Sequence, residues 1–247
     1  APRALQIQNI EIEAGKNIAL LGSNGSGKST LLKMLSGLYS PSAGKVFVDK
    51  LDLEQIDPED IRRNVGYLPQ EVRLFSGTLR DNLMLGFLNV EEAELFAAVD
   101  FAGLGRYVRS HPLGLDMEIS DGGEGLSVGQ RQSVGLARLY LQDPRIVLLD
   151  EPTASLDQTL EAQLIGRLKE WLEGRTGIIS THRMSLLSIV DDVIVMGNGA
   201  VAMQGSRDDV LKQLKANTAI VENAKAQEIT ENEIGEGDED KYRRTNA

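Results

Sequence analysis

The sequence predicts an α/β fold in which a largely parallel sheet is interrupted by a helical insertion. Three observations carry that expectation. Short apolar stretches of strand character alternate with amphipathic stretches of helical period toward both ends of the folded region, the pattern that lays helices on a parallel sheet. Between about Thr78 and Gln142 strand character gives way to helical periodicity. Ile146-Val147-Leu148-Leu149 is a continuous apolar run of the kind buried on both faces at the centre of such a sheet.

The 247 residues are enough for a full core, and 26% charged with 41% hydrophobic residues is the balance of a soluble globular protein. No cysteine is present, which excludes disulfides and thiolate metal sites, and 2 histidines leave little for an imidazole site. A net charge of −11 argues against a nucleic-acid partner held on a broad basic face. No apolar run reaches the ~20 residues of a membrane span and no signal peptide is evident, so the chain reads as a soluble, cytosol-type module.

In chain order, Ala1 to Glu13 alternates polar and apolar residues and predicts a short strand or hairpin arm. Asn17-Ile18-Ala19-Leu20-Leu21 predicts the next strand, and an amphipathic helix is expected over Leu31 to Leu38. Between them lies Gly22-Ser23-Asn24-Gly25-Ser26-Gly27-Lys28-Ser29-Thr30, which fits the G-x-x-x-x-G-K-[ST] phosphate-binding pattern. A strand feeding a glycine-rich turn that opens a helix aims backbone N–H groups and the positive helix end at one concave spot. Lys28 can reach the β and γ phosphates there, and the Ser29 hydroxyl can ligate Mg²⁺.

Ser40 to Gly44 predicts a turn, Lys45 to Val48 a strand, and Val65 to Leu68 a short buried strand ending at Pro69-Gln70. Helices are expected over Thr78 to Met84, over Glu91 to Ala102, and again after Ser127. The strand Arg145 to Asp150 ends in two acids: Asp150 is placed to hold Mg²⁺ through water, and Glu151 to polarise an attacking water. A helix at Gln158 to Leu172, a strand at Gly177 to Ser180 and a closing strand pair near Val193 to Met196 and Val201 to Gln204 complete the pattern. His111 reads as a loop residue and Trp171 as a packing residue. The acidic segment Asn217 to Ala247 has too few large apolar residues to order itself, although Ala219 to Ile229 holds helix formers.

Leu126-Ser127-Val128-Gly129-Gln130-Arg131-Gln132, together with the glycine loop and the acidic strand, resembles the ABC ATPase family, whose signature reads Leu-Ser-Gly-Gly-Gln. Val128 stands here at the first glycine. Ser127 at a helix N-cap, with Gly129 and Gln130 in the first turn, still makes a second phosphate-seeking helix end. Gln70 matches the family's glutamine that joins the metal site to the helical subdomain. Ser155-Leu156-Asp157 matches its D-loop, and His182 its switch histidine, which contacts the γ-phosphate. The resemblance implies a P-loop NTPase core of residues 1–77 and 143–216, with a mixed or parallel sheet and a small N-terminal antiparallel part. It also implies an inserted helical signature subdomain of residues 78–142.

Two such domains are expected to pair head to tail, with ATP and Mg²⁺ between the loop of one copy and Ser127, Gly129 and Gln130 of the other. A triphosphate of roughly four negative charges is then neutralised from both sides. Hydrolysis, with Glu151 as base and His182 stabilising the transition state, parts the pair. The family's adenine-stacking aromatic has no counterpart between Ala1 and Leu21, so either the sequence begins just inside the natural domain boundary, the favoured expectation, or the base is held otherwise. Gly66 to Leu83 resembles exporter domains, and the run Asp121 to Gln132 is most similar to type 1 secretion exporters of RTX-type adhesins. That branch implies a membrane domain at the cytoplasmic face of a bacterial inner membrane, a periplasmic adaptor and an outer-membrane channel. The motor of a lipid or drug half-transporter is the alternative, and a soluble non-transport ABC ATPase a further one.

Overall fold

A computed structural model describes residues 5–86 and 89–216. The acidic segment expected over Asn217 to Ala247 lies outside the described residues. The strands in chain order are β1 (Asn17–Gly22), β2 (Phe47–Val48), β3 (Leu51–Asp52), β4 (Val65–Leu68), β5 (Gly77–Thr78), β6 (Glu118–Ile119), β7 (Ile146–Asp150), β8 (Thr176–Ser180), β9 (Asp192–Gly197) and β10 (Ala200–Ser206). The helices are α1 (Lys28–Leu35), α2 (Pro58–Asn64), α3 (Leu79–Leu83), α4 (Glu92–Phe101), α5 (Gly105–Ser110), α6 (Val128–Gln142) and α7 (Gln158–Trp171).

The main sheet has six strands in the order β10-β9-β1-β8-β7-β4. Pairings β1–β8, β1–β9, β4–β7 and β7–β8 are parallel. Their register decides where chemistry can occur. Leu20 and Asp150 both pair with Ser180, and Gly22 pairs with Met196, so the carboxyl ends of β1, β7 and β8 finish at one edge. Loops that leave a parallel sheet at that edge surround a common crevice.

Ile18, Leu20, Leu31, Leu32, Leu148, Ile178, Ile194 and Met196 form the buried cluster beneath that edge. α1 packs against β1, β7 and β8. Each fully buried Leu or Ile contributes about 1.5–3 kcal/mol relative to exposure. The apolar runs of the sequence are therefore strands because both faces of the sheet are covered.

The insertion between β4 and β7 contains α3, α4, α5 and α6, with α4 packed on α6. The short antiparallel pair β5–β6 lies within it. Thr78 and Asp81 close a capping box at the start of α3. Phe101 stacks on Tyr140 with ring centroids 4.4 Å apart, and Trp171 from α7 lies 5.2 Å from Phe101, so Trp171 is a packing residue as expected. His111 ends α5 and accepts the Leu113 N–H on Nδ1 at 3.2 Å.

The N-terminal arm differs from expectation. Residues 5–13 form no strand, and their apolar side chains Leu5, Ile7, Ile10 and Ile12 lie half-buried on the core. The Gln6 N–H donates to the Gly199 carbonyl at 2.7 Å, and the Glu11 carbonyl accepts from Gln204 Nε2 at 3.2 Å. One-sided burial produces a two-residue alternation whether or not the backbone joins a ladder. The small antiparallel part is instead the hairpin of β2 and β3, whose turn residues Asp49 and Lys50 both have positive φ, 48° and 69°.

The chain divides into two compact units, residues 1–204 and 205–247. Within the described part of the second, residues 207–216 are helical, and Ser206 Oγ accepts the Asp209 N–H at 3.3 Å.

Candidate functional site

The loop between β1 and α1 owes its shape to glycine. At Gly22, φ is +150°, and a Cβ would lie 2.4 Å from the Met196 carbonyl oxygen and 2.7 Å from Ser26 Oγ, so no side chain fits. Gly27 occupies the N-cap of α1 in the left-handed region, φ 100°, and offers no side-chain cap. The first intrahelical bond is Leu31 N–H to the Gly27 carbonyl at 2.9 Å. The N–H groups of Lys28, Ser29 and Thr30 precede it and have no partner within the helix. An uncapped helix start behind a loop of small residues is an anion cradle.

Asn24, Gly25, Ser26, Gly27, Lys28, Ser29 and Thr30 line one side of a cavity of about 370 Å³. Gln70, Asp150, Glu151, Ser180 and His182 line the other. Lys28 is only 7% exposed, and its Nζ donates to the Gly22 and Ser23 carbonyls at 2.7 and 3.1 Å. Burial pulls its pKa down, against the pull of the Glu151 and Asp150 carboxylates. The residues fit a nucleoside triphosphate with its metal. Ser26 Oγ and Ser180 Oγ are buried without a hydrogen-bond partner, and Ser29, Gln70 and Asp150 give the oxygen donors that Mg²⁺ prefers. Among the described residues no group of three or more His, Cys, Asp or Glu side chains could hold a metal. Mg²⁺ suits that economy, since it is held by one or two carboxylates together with phosphate oxygens.

Glu151 is buried. Its Oε1 lies 3.2 Å from His182 Nε2, and its Oε2 lies 3.4 Å from the His182 N–H. His182 Nε2 is also 3.1 Å from Asn24 Oδ1, so the histidine bridges the glycine loop and the acidic strand. Burial pushes the Glu151 carboxyl above the ordinary range, with His182 and Lys28 opposing and Asp150 adding to it. The Glu151 backbone has φ 54°, unusual for a residue with a Cβ, and its N–H donates to the Ser180 carbonyl at 2.9 Å. Burial and the Asp150 carboxylate raise the pKa of the neighbouring Tyr67 phenol, so it stays protonated.

Six of the sequence-derived site residues do not line this cavity: Gly22 and Ser23, whose carbonyls accept from Lys28, and Ser127, Gly129, Gln130 and Asp157. Ser127 and Gln130 close a capping box at the start of α6: Gln130 N–H donates to Ser127 Oγ at 3.1 Å, and Ser127 N–H to Gln130 Oε1 at 2.8 Å. Gln130 thus spends its side-chain oxygen within its own chain. Gly129 sits against the loop that follows Glu151, where a Cβ would be 3.1 Å from the Ser155 carbonyl oxygen. Asp157 caps α7, accepting the Thr159 and Leu160 N–H groups at 2.9 Å each. Val128, at the departure from the family signature, is 53% exposed, so its side chain leaves the turn intact.

Sequence reading overlooked Ser180, Gln132 and the group around Arg183. Gln132 is buried and its Nε2 donates to the Glu151 carbonyl at 2.7 Å. Arg183 NH1 pairs with the buried Glu161 at 2.5 Å, while NH2 donates to the Ala154 and Leu156 carbonyls at 3.0 and 3.3 Å. Arg183 thereby fastens the loop after Glu151 to the residue next to His182. A glutamate at the fourth position after a helix cap gives no signal of this in sequence.

Burial raises the Glu161 pKa, but hydrogen bonds from Ser185, Arg183 and Thr153 outweigh it and hold the carboxyl below its usual value. The stability it contributes is present above the unfolded carboxylate pKa of about 4.3 and is lost as pH falls through the lower folded value. Glu161→Gln is expected to melt a few degrees lower at neutral pH. The gap should close below about pH 4 in thermal melts compared across pH. A gap of equal size at both pH values would mean that charge is not what Glu161 contributes.

The described residues contain no helix long and apolar enough to cross a membrane. Residues 5–154 match the family described as ABC transporter. Over 211 residues the chain is 38% identical to the ATP-dependent lipid A-core flippase of Neisseria gonorrhoeae, which covers 85% of this chain and 34% of that protein. Over 203 residues it is 36% identical to the mitochondrial iron-sulfur clusters transporter ABCB7 of Homo sapiens, covering 82% and 27% respectively. The structure is similar to that of a bacterial Atm1-family ABC exporter with ATP bound, with a TM-score of 0.78 and 32% identity. That match covers 83% of this chain and 36% of the other. The chain thus spans between about a quarter and about a third of the length of these relatives.

Proposed function

The chain belongs to the ABC transporter family as the ATP-binding domain of an exporter, and from that premise we propose that it binds and hydrolyses Mg·ATP in the cavity between Gly22–Thr30 and Asp150–His182. One observation carries the reading: an uncapped, glycine-shaped helix start with a buried lysine faces an acidic strand end and a histidine across a single concave site. In this reading the Lys28 ammonium and the first-turn N–H groups hold the phosphates, and Ser29, Gln70 and Asp150 hold Mg²⁺. The bound Mg²⁺ supplies neutralisation of phosphate charge. Glu151 takes a proton from the attacking water, and His182 donates toward the terminal phosphate while keeping Glu151 in place.

Ser127, Gly129 and Asp157 lie outside that cavity, which supports a head-to-tail pair in which α6 of one copy closes the cavity of the other. Gln130 then contributes through the helix start that it caps. The division into a core of residues 1–77 and 143–216 and an insertion of residues 78–142 belongs to the same reading, with the insertion carrying α6 to the partner. The expected result is a monomer that doubles in mass on adding Mg·ATP, measured by sedimentation at high protein concentration. No ATP-linked change in mass would remove the shared site from the reading.

The whole protein would couple this site to a membrane domain at the cytoplasmic face of the bacterial inner membrane. For its cargo, relatives named for lipid A-core and for iron–sulfur clusters support the half-transporter reading. Type 1 protein secretion, with its periplasmic adaptor and outer-membrane channel, rests only on the run Asp121 to Gln132. ATPase stimulation by lipid vesicles, against stimulation by an adhesin-like polypeptide, measured on the protein together with its membrane domain, separates the two.

A further inference from the structure

One buried polar side chain touches the base and has no part in the chemistry so far assigned. Gln132, 4% exposed, lies in the second turn of α6, and its Nε2 donates to the Glu151 main-chain carbonyl at 2.7 Å. Glu151 needs that partner more than an ordinary strand residue would. Its φ of 54° lies in the left-handed region, which costs a residue with a Cβ on the order of 1 kcal/mol. Its N–H is fixed on the Ser180 carbonyl at 2.9 Å, and its carbonyl is held by Gln132 together with the Ala154 N–H at 3.2 Å. A strained conformation persists only where its surroundings over-determine it, and Gln132 is the side chain that does so here. The same helix start touches the acid strand's loop again at Gly129, where a Cβ would meet the Ser155 carbonyl oxygen at 3.1 Å and Leu156 Cδ2 at 3.5 Å.

We propose that Gln132 is a positioning residue for Glu151: it makes the orientation of the Glu151 carboxylate depend on where the first turns of α6 lie. A shift of α6, such as docking against a second copy would impose, then moves the Glu151 backbone and with it the carboxylate beside His182. The inference deepens the proposed function and rests on Glu151 being the base.

The test is Gln132→Met, which keeps length and volume but cannot donate, examined in the full chain with Glu151→Gln and the double variant as references. The expected result is about a tenfold fall in kcat, with KM and Mg·ATP affinity within about twofold of the parent. The ATP-linked doubling of mass should outlast that of the parent protein. In the Glu151→Gln background, adding Gln132→Met should cost nothing further, because both act on one group. An unchanged kcat, a fully additive loss in the double variant, or a loss shared by KM and affinity overturns the proposal. If Gln132→Met does not fold, Gln132→Asn, which keeps a buried amide but stops one methylene short, must give the same kcat-only loss; failure of both to fold makes Gln132 purely structural. Turnover near the parent's in Glu151→Gln would instead overturn the reading of Glu151, a result the Gln132 variants cannot mimic.

Discussion

Glu151→Gln is expected to retain Mg·ATP binding and to lose about 10²- to 10⁴-fold in turnover, the usual contribution of a positioned general base. The substitution keeps shape, so the buried slot between the glycine loop and His182 stays filled. An amide oxygen can still accept from the His182 N–H, now 3.4 Å from Oε2. What is lost is the ability to take a proton from water, together with a negative charge that burial already disfavours. Removing a buried, partly countered carboxylate should therefore leave the melting temperature level or slightly raised. Steady-state phosphate release measured beside equilibrium nucleotide binding checks both halves. Parent-like turnover with intact binding would mean that some other group activates the water, and the His182–Glu151 contact would need another explanation.

Lys28→Ala is expected to weaken ATP binding by at least about 100-fold. Charged hydrogen bonds contribute about 1.5–3 kcal/mol each, and an ammonium that reaches both β and γ phosphates makes at least two. The side chain is also built into the loop, since it donates to the Gly22 and Ser23 carbonyls. Its removal loosens the very turn that shapes the cradle. Nearby carboxylates make the loss larger: with the cation gone, Asp150 and Glu151 face the triphosphate with one less opposing charge. Titration with a fluorescent nucleotide at constant ionic strength gives the ratio directly, and affinity within a few-fold of the parent would refute the cradle. A melting curve on the same sample separates lost binding from lost fold.

Much of this site could be read from local sequence because it is made of backbone geometry that only certain residues permit. Gly22 and Gly27 are dictated by positive φ and close approach, and a lysine one step past the last glycine falls at the helix start by chain connectivity alone. Asp150 ends, and Glu151 follows, an apolar run of the kind buried at the centre of a parallel sheet, so their place at its carboxyl end was legible too. The start of α6 announced itself at Ser127, a side chain that caps its own neighbours, whereas the caps at Thr78 and Asp157 emerged only in the structure. Residues 5–13 misled, because burial of one face writes the alternation of a strand onto an irregular segment.

By itself the sequence determined the main elements, the glycine loop and the order of Asp150, Glu151 and His182 along the chain, since each is specified within a few residues by steric limits, capping and hydrophobic period. Tertiary structure alone decided which of those parts meet. The register of β1, β7 and β8 brings Gly22, Asp150 and Ser180 to one edge, the left-handed turn at Glu151 swings its carboxylate to His182, and the packing of α6 brings Gln132 onto the Glu151 carbonyl and keeps Ser127 outside the cavity. Contacts between residues far apart in the chain depend on strand order and helix packing, which no local pattern encodes.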